Sequence, residues 1–484
     1  MYALHWNAVL LIPTLILFIP LLLKTTYQKP ETTLRLLLSV GIALLAFSYI
    51  KMTIQFPDSE VNAPRGIAIF ETSNLSMIKK HHGRYANYKG TIKAFFVEGK
   101  RIAQNIPASI IISEKLSLPP ADRSYKISGT LKEISTHSYT LIPDKELPWI
   151  PLLNTWSLAQ LRYSMKQHVS NYLHDNINNQ RSANFLSGIA TGDFEDRMIA
   201  QELGRFGLQH IMAISGFHFA ILASMLGFLL RLIFHQRSSS IFLIVLMTSY
   251  FIFLGCGPSI LRAWITSLIV ISSFLIERKA SALNTLGIAL LAILGINPLL
   301  CENIGFQFSF VCTAAILLLY APCDALLLKI FPMRSLHITS KMSYFSQHAY
   351  CFLFTCRSAC ALGIAINLVA LPITLYYFQK FPFLGLLYNL FFPFMVSISM
   401  FLLLLGVIVS TILPPLAFAI HSLNSFYTNF MLNYAYNVPI NFDLLLRSDG
   451  FPIEMIVIEL SVLFAAGIYY KDYCSTKQND WTFV

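Results

Sequence analysis

Apolar runs long enough to cross a bilayer recur from one end of this chain to the other. A hydrocarbon core of about 30 Å takes roughly 20 helical residues to span. Read against turn and charge signals, the runs give eleven candidate spans, near 6–23, 34–50, 208–230, 239–255, 258–276, 281–300, 304–321, 350–377, 386–413, 415–438 and 453–470. Only 12% of the residues are charged, against roughly a quarter in an ordinary soluble domain. The expected fold class is therefore a polytopic α-helical membrane protein with about eleven transmembrane helices. The first run, Trp6 to Leu23, lacks the basic residues that open a signal peptide and reads as a retained helix. The tenth carries His421, Asn424, Asn429 and Asn433 behind Pro414 and Pro415, which suits a lumen-facing or interfacial helix.

Lys and Arg in short loops fix the orientation. Lys24, Lys29 and Arg35 follow span 1, Arg231 and Arg237 span 3, Arg278 and Lys279 span 5, Lys329, Arg334 and Lys341 span 7, and Lys471 and Lys477 span 11. Even-numbered spans are followed by few, chiefly Lys380 and Arg447. One assignment satisfies the pattern: N-terminus outside, C-terminus inside, and residues 51–207 on the outer side.

That outer segment changes character along its length. Short alternating stretches such as Gly66–Phe70, Gly90–Val97, Ala108–Ser113 and Tyr125–Leu131 are separated by Gly, Pro and Asn, which predicts a small external β-barrel of the OB type after the second helix. Beyond Trp156, Leu158, Leu161, Met165, Val169 and Leu173 recur at three and four, the spacing of amphipathic helices at the membrane surface or against the barrel. The expected division is two leading transmembrane helices in 1–54, a basic OB-like domain in 55–150, a helical connector in 151–207, a membrane domain in 208–475 and a cytoplasmic tail in 476–484.

Between Arg65 and Lys132 stand twelve Lys and Arg against four Asp and Glu, a charge of +8 out of +11 for the whole chain. The positive-inside rule does not account for charge on a long external segment, so a polyanion is a reasonable ligand. Lys79, Lys80, Arg84, Lys89, Lys93, Lys100, Arg101 and Lys126 are the candidate phosphate contacts. Tyr85, Tyr88, Phe95, Phe96 and Tyr125 are interleaved with them, as a stacking platform for single-stranded DNA requires. A basic surface attracted to anionic membrane lipid is the competing reading.

Four stretches bring polar or small residues into apolar helices. Gln209, His210, Ser215, Gly216 and His218 form the first, Ser259 and Arg262 behind Pro258 the second, Gln307 and Ser309 after Asn303 the third, and Asn367 and Asn389 near Pro372 and Pro393 the fourth. Each one alone is more often helix packing. Together they favour a hydrated path lined by these residues, because polar groups and broken helices are tolerated at membrane depth only in protein or beside water.

Other chemistries lack their parts. Ser215 and His218 have no acid on the same helix and no nucleophile elbow, and His210 with His218 lacks a third metal ligand. The eight cysteines include no Cys-x-x-Cys pair, and no P-loop occurs. No cofactor or metal is expected, although Cys256 and Cys301 fall near the outer surface, where a disulfide is chemically accessible.

Taken in order, Phe185-Leu-Ser-Gly-Ile-Ala-Thr-Gly-Asp193, His210-x-x-Ala-Ile-Ser-Gly-x-His218, Pro258-Ser-Ile-Leu-Arg-Ala263, Asn297-Pro298 and Gly305-Phe-Gln-Phe-Ser-Phe310 resemble the ComEC-type competence family. The resemblance runs from about Ala183 to Ser399. It implies a channel for single-stranded DNA in the bacterial cytoplasmic membrane, two leading helices and an OB-like insert. Many members also carry a metallo-β-lactamase-like domain with a His-x-His-x-Asp-His cluster, whereas only His348 and His421 lie beyond residue 340 here. The expected partners are then membrane lipid, a separate DNA receptor, a nuclease and a cytoplasmic motor, with a homo-oligomer as a further option. The alternatives are a membrane enzyme or small-molecule transporter on the same scaffold, and a non-conducting protein that docks DNA or lipid.

Overall fold

The computed structural model describes residues 48–480 apart from 50–51, 53, 58–62, 81–82, 117, 136–137, 145–148, 153–156, 195, 213, 215, 437–443 and 449. The first span, nearly all of the second, Ser215 and the side chains of Lys79 and Lys80 lie outside the described residues.

The insert closes on itself. Strands β1 (Arg65–Lys80), β2 (Gly83–Val97), β4 (Ile106–Ser113), β6 (Ser138–Pro143) and β5 (Ser124–Ser135) pair in that order. β1 pairs with β5 as well as β2, so the five form a ring without a free edge. β4 and β6 run parallel while the other neighbours are antiparallel, which is the path of the expected OB barrel. Two short strands, β3 (Lys100–Ala103) and β7 (Ile150–Pro151), add to β2 and β5. Alternation sets the inside: Ile106, Ala108, Ile110 and Ile112 of β4 are buried and the residues between them are not. Gly90 sits where a Cβ would run into the Glu71 carbonyl, beside the two register shifts that bend β1 around the ring.

Helices follow. The connector comprises α1 (Leu158–Asn176), α2 (Gln180–Thr191) and α3 (Arg197–Arg205), and α4 (Gln209–Met212) is a single turn. The remainder are α5 (Gly216–Ile233), α6 (Gln236–Leu254), α7 (Pro258–Leu275), α8 (Ala282–Ile296), α9 (Ile304–Leu328), α10 (Leu336–Ser340), α11 (Tyr344–Phe378), α12 (Leu384–Ser410), α13 (Pro414–Tyr436) and α14 (Ile453–Asp480). Two three-residue strands, β8 (Lys380–Pro382) and β9 (Leu445–Arg447), pair beyond α11. Among the described residues, α5, α6, α7, α9, α11, α12 and α14 hold windows long and apolar enough to cross a membrane, and α8 is a shorter apolar helix. The chain is a multi-pass membrane protein with a small barrel insert.

Each of the nine expected spans among the described residues falls on a helix, with two corrections of detail. The span from 208 splits into α4 and α5 on either side of 213–215. Pro372 and Pro393, read as breaks, lie inside continuous helices, because neighbouring helices can accommodate the lost backbone bond. Cys256 and Cys301 are free thiols.

The apolar spacing of the connector is only partly turned inward. Leu158, Leu161 and Met165 are exposed, whereas Ala159, Arg162, Lys166 and Leu173 are buried. The cause is hydrogen bonding. Arg162 Nε donates to the Ile252 carbonyl at 2.7 Å and Nη1 to the Ser73 carbonyl at 2.9 Å, so one guanidinium joins the barrel to the end of α6. Lys166 Nζ meets Asp193 at 2.9 Å. Burial lowers the Arg162 pKa from its ordinary value. Arg162→Met keeps the stem and strands both carbonyls, and is expected to cost about 2 kcal/mol, read as a lower thermal midpoint of the detergent-solubilised protein.

Candidate functional site

A cavity of about 2150 Å³ is bordered by α5, α7, α9, α11 and α12. On α5 its wall includes Gly216, Ala220, Ala223, Ser224, Gly227 and Arg231 beside Phe217, His218 and Phe228, and on α7 it includes Ser259, Arg262, Thr266, Ser267, Val270 and Phe274. The small residues of α5 and the named residues of α7 each follow one stripe, at steps of three and four residues. At about 1.5 Å per residue, α5 rises roughly 22 Å between Gly216 and Arg231, most of the hydrocarbon thickness. Small residues on that face would let a partner helix pack closely. Here they widen the space between helices instead.

Nine of the residues expected along a path border this one cavity: Gln209, His210, Gly216, His218, Ser259, Arg262, Ser309, Asn367 and Asn389. Gln307 is not among its lining residues. Its amide donates to the Cys301 carbonyl at 2.9 Å and accepts from Tyr377 at 2.8 Å, tying the 298–302 turn to α11.

Arg262 is the buried charge of the site. Pro258 starts α7 and sets Arg262 one turn in, facing α9 and the start of α5. Its Nε donates to Ser309 Oγ at 2.7 Å, and its guanidinium lies 6.0 Å from the Phe310 ring centre. Nη2 rests so close to Gly216 that a Cβ there would lie 2.6 Å from it. Among the described residues no carboxylate forms an ion pair with it. A buried cation with one hydrogen bond and no counter-ion is electrostatically incomplete, and an anion in the cavity would complete it. Lys380 and Arg231 add positive charge elsewhere on the wall, and Glu459 is the acid among its described lining residues. Sequence reading assigned Lys380 and Arg231 to loop topology alone. Arg231 was findable, since it repeats the three-and-four spacing that begins at Gly216.

On the barrel the aromatic residues divide. Tyr88, Phe95 and Tyr125 are buried in its core, so they are not stacking groups. Tyr88 donates to the Pro119 carbonyl at 2.6 Å and Tyr125 to that of Pro120, and both pack edge-on to Trp149. Burial pushes the Tyr125 phenol up to about 12. Phe96 points outward, as its buried neighbour Phe95 requires, and is half-buried.

Pairing then gives an outer ladder across β3, β2, β1 and β5. Arg101 faces Phe96, and Phe96 faces Ile67. Next to it, Ala94 faces Ile69 and Ile69 faces Lys126. Ile67 is 37% exposed and Ile150, paired with Lys126, is 53% exposed. Lys93 reaches Glu71 at 3.0 Å on the same side. Arg101, Lys93 and Lys126 therefore border an apolar strip with one aromatic face. The other candidates lie apart from it: Lys89 and Lys100 are exposed on β2 and at the start of β3, and Arg84 meets Glu114 at 3.7 Å near the far end of the β1–β2 hairpin.

A family model described as Competence protein matches residues 192–471, which takes in the cavity's walls from Gly216 to Glu459. The chain belongs to the competence protein family. This competence protein is 25% identical over 159 residues to ComE operon protein 3 of Bacillus subtilis (strain 168), across 32% of its own length and 20% of that relative's. The matched region thus spans about a fifth of the relative. No solved structure matches the chain.

Proposed function

We propose that this protein conducts single-stranded DNA across the bacterial cytoplasmic membrane during DNA uptake, with the barrel on the outer side and the C-terminus inside. The observation that carries the reading is the cavity along α5 and α7, with Arg262 buried in its wall and, among the described residues, no carboxylate paired to it. A passing strand needs repeated weak phosphate contacts, since a tight site would hold it. Lys380, Arg262 and Arg231 supply spaced cations, and the Gly, Ala and Ser wall leaves room for bases. Gln209, His210 and His218 belong to the mouth of this path, and Asn367 and Asn389 to its far wall. The protein acts as a conduit, so cleavage of the other strand and the driving force fall to partners. DNA uptake by cells lacking the protein, scored separately for surface-bound and internalised DNA, tests the reading. Loss of internalised DNA alone is expected. Unchanged internalisation would remove it.

The outer ladder of the barrel is the proposed capture surface. Replacing Lys93, Arg101 and Lys126 together with Gln should weaken binding of single-stranded oligonucleotides of any sequence to the purified full-length protein. The slope of log affinity against log salt should fall by about 2, at roughly 0.7 per lost phosphate contact. Phe96→Ala should weaken binding with the salt slope unchanged, because stacking releases no counterions. An unchanged affinity in both variants would move the capture site off this face.

A further inference from the structure

We propose that the α12–α13 hairpin does not cross the bilayer but lies along its outer surface, with its apolar face in the outer leaflet. By length and composition α12 is able to span. Its surroundings argue otherwise.

The two helices form an antiparallel pair through a buried polar seam. Ser399 bonds Asn424 at 2.9 Å and Thr428 at 2.8 Å, and Tyr427 reaches the Met395 carbonyl at 3.2 Å. One side of that pair is covered by the polar connector. Tyr172 meets His421 Nε2 at 3.1 Å, and Ser182 bonds the Ser425 carbonyl at 3.1 Å. Asn171, His174, Asp175 and Gln180, beside these contacts on α1 and α2, are exposed. His421 is about 10 Å along α13 from Pro414 at the usual rise. If α13 crossed the membrane, the exposed carboxylate and amides of the connector would therefore sit in hydrocarbon, where such groups face protein or water. Laid flat, the hairpin puts that polar cover in water.

Three further observations agree. The principal contacts of α13 are α12 and the connector helices, and they include none of the other apolar helices. The hairpin also exposes Phe394 and Phe430, large apolar side chains suited to the outer leaflet. Finally, the 411–414 link would be a cytoplasmic loop if the hairpin spanned. It carries no Lys or Arg, unlike the links after spans 1, 3, 5, 7 and 11. Removing two crossings leaves α14 entering from the same side, so the rest of the topology is unchanged.

The test is the side on which Thr411 lies, and its outcome does not depend on DNA conduction. In a full-length chain with the eight native cysteines changed to Ser, Thr411→Cys is compared with Lys115→Cys on the barrel and Arg334→Cys beyond α9. A membrane-impermeant maleimide applied to intact cells should label Thr411→Cys as fully as Lys115→Cys. Labelling only after permeabilisation, as for Arg334→Cys, would mean that the hairpin spans. Thr411→Cys that stays unlabelled in both conditions would put the tip in hydrocarbon and equally overturn the surface arrangement. A protease site inserted at the same tip in the native-cysteine chain gives an independent reading: cleavage from the barrel side is expected, and cleavage only from the other side overturns the proposal.

Discussion

Gly216→Leu is expected to abolish internalisation of DNA while leaving surface binding and protein abundance at parental levels. Gly216 opens α5 on the cavity wall, against the Arg262 guanidinium. A Cβ alone would meet a flexible side-chain tip 2.6 Å away, which can swing aside. Gly216→Ala should therefore cost uptake no more than about threefold, within the low end of overpacking penalties. Leu adds three further carbons, which enter the cavity beside Arg262 and separate its guanidinium from Ser309. Uptake should fall by about 100-fold or more, because packing strain of 1–3 kcal/mol and loss of the path's width act together. The graded order of Gly, Ala and Leu is the useful readout. It is measured as nuclease-protected label inside cells, with surface label and membrane abundance scored in parallel. Equal import by all three would place the strand's route elsewhere and favour a docking role.

The same residues show what was legible in the sequence. Membrane class and the barrel were readable because both rest on local periodicity: apolar runs set the helices, and alternation such as Ile106-Pro-Ala-Ser-Ile110 set the strands. Nine of the candidate path residues border one cavity because each had the same cause, a polar or small group that lipid disfavours. Gln307 carried that signal too and is explained by Cys301 and Tyr377. Sequence cannot tell a polar group paired within the protein from one beside water.

Partners distant in sequence account for the larger departures. Arg162 is buried because Ser73 and Ile252, each about ninety positions away, present carbonyls to it. That contact turns the first half of α1 so that Leu158, Leu161 and Met165 face outward while Leu173 stays buried. Likewise Tyr88 and Tyr125 look available for stacking in the sequence, but their hydroxyls bond the Pro119 and Pro120 carbonyls, and both rings lie in the core. Phe96 kept its outward place because strand alternation alone decides it. Arg231 and Lys380 were hidden by an overlapping signal, since basic residues near helix ends are first read as topology.

Arg262 offers the sharpest test of whether the path handles phosphate. Its Nε is occupied by Ser309 at 2.7 Å, so the Nη edge is the part that can meet a passing anion. Arg262→Ala removes the buried cation and should lower uptake by about 10- to 100-fold, the equivalent of 1.4–2.8 kcal/mol for one charge-assisted contact. Lys keeps the charge but is a point donor without the fork. It must also choose between Ser309 and the strand, so Arg262→Lys should fall between Arg and Ala. Ser309→Ala separates the two duties of the arginine. It frees Nε without touching charge, and should cost less than Arg262→Lys if the hydroxyl serves only to aim the guanidinium. A requirement for bidentate phosphate contact would instead make Lys as poor as Ala. Should Arg262→Ala import DNA normally at normal abundance, the buried cation is a packing feature of α7 and α9, and the phosphate contacts must come from Lys380, Arg231 or the barrel.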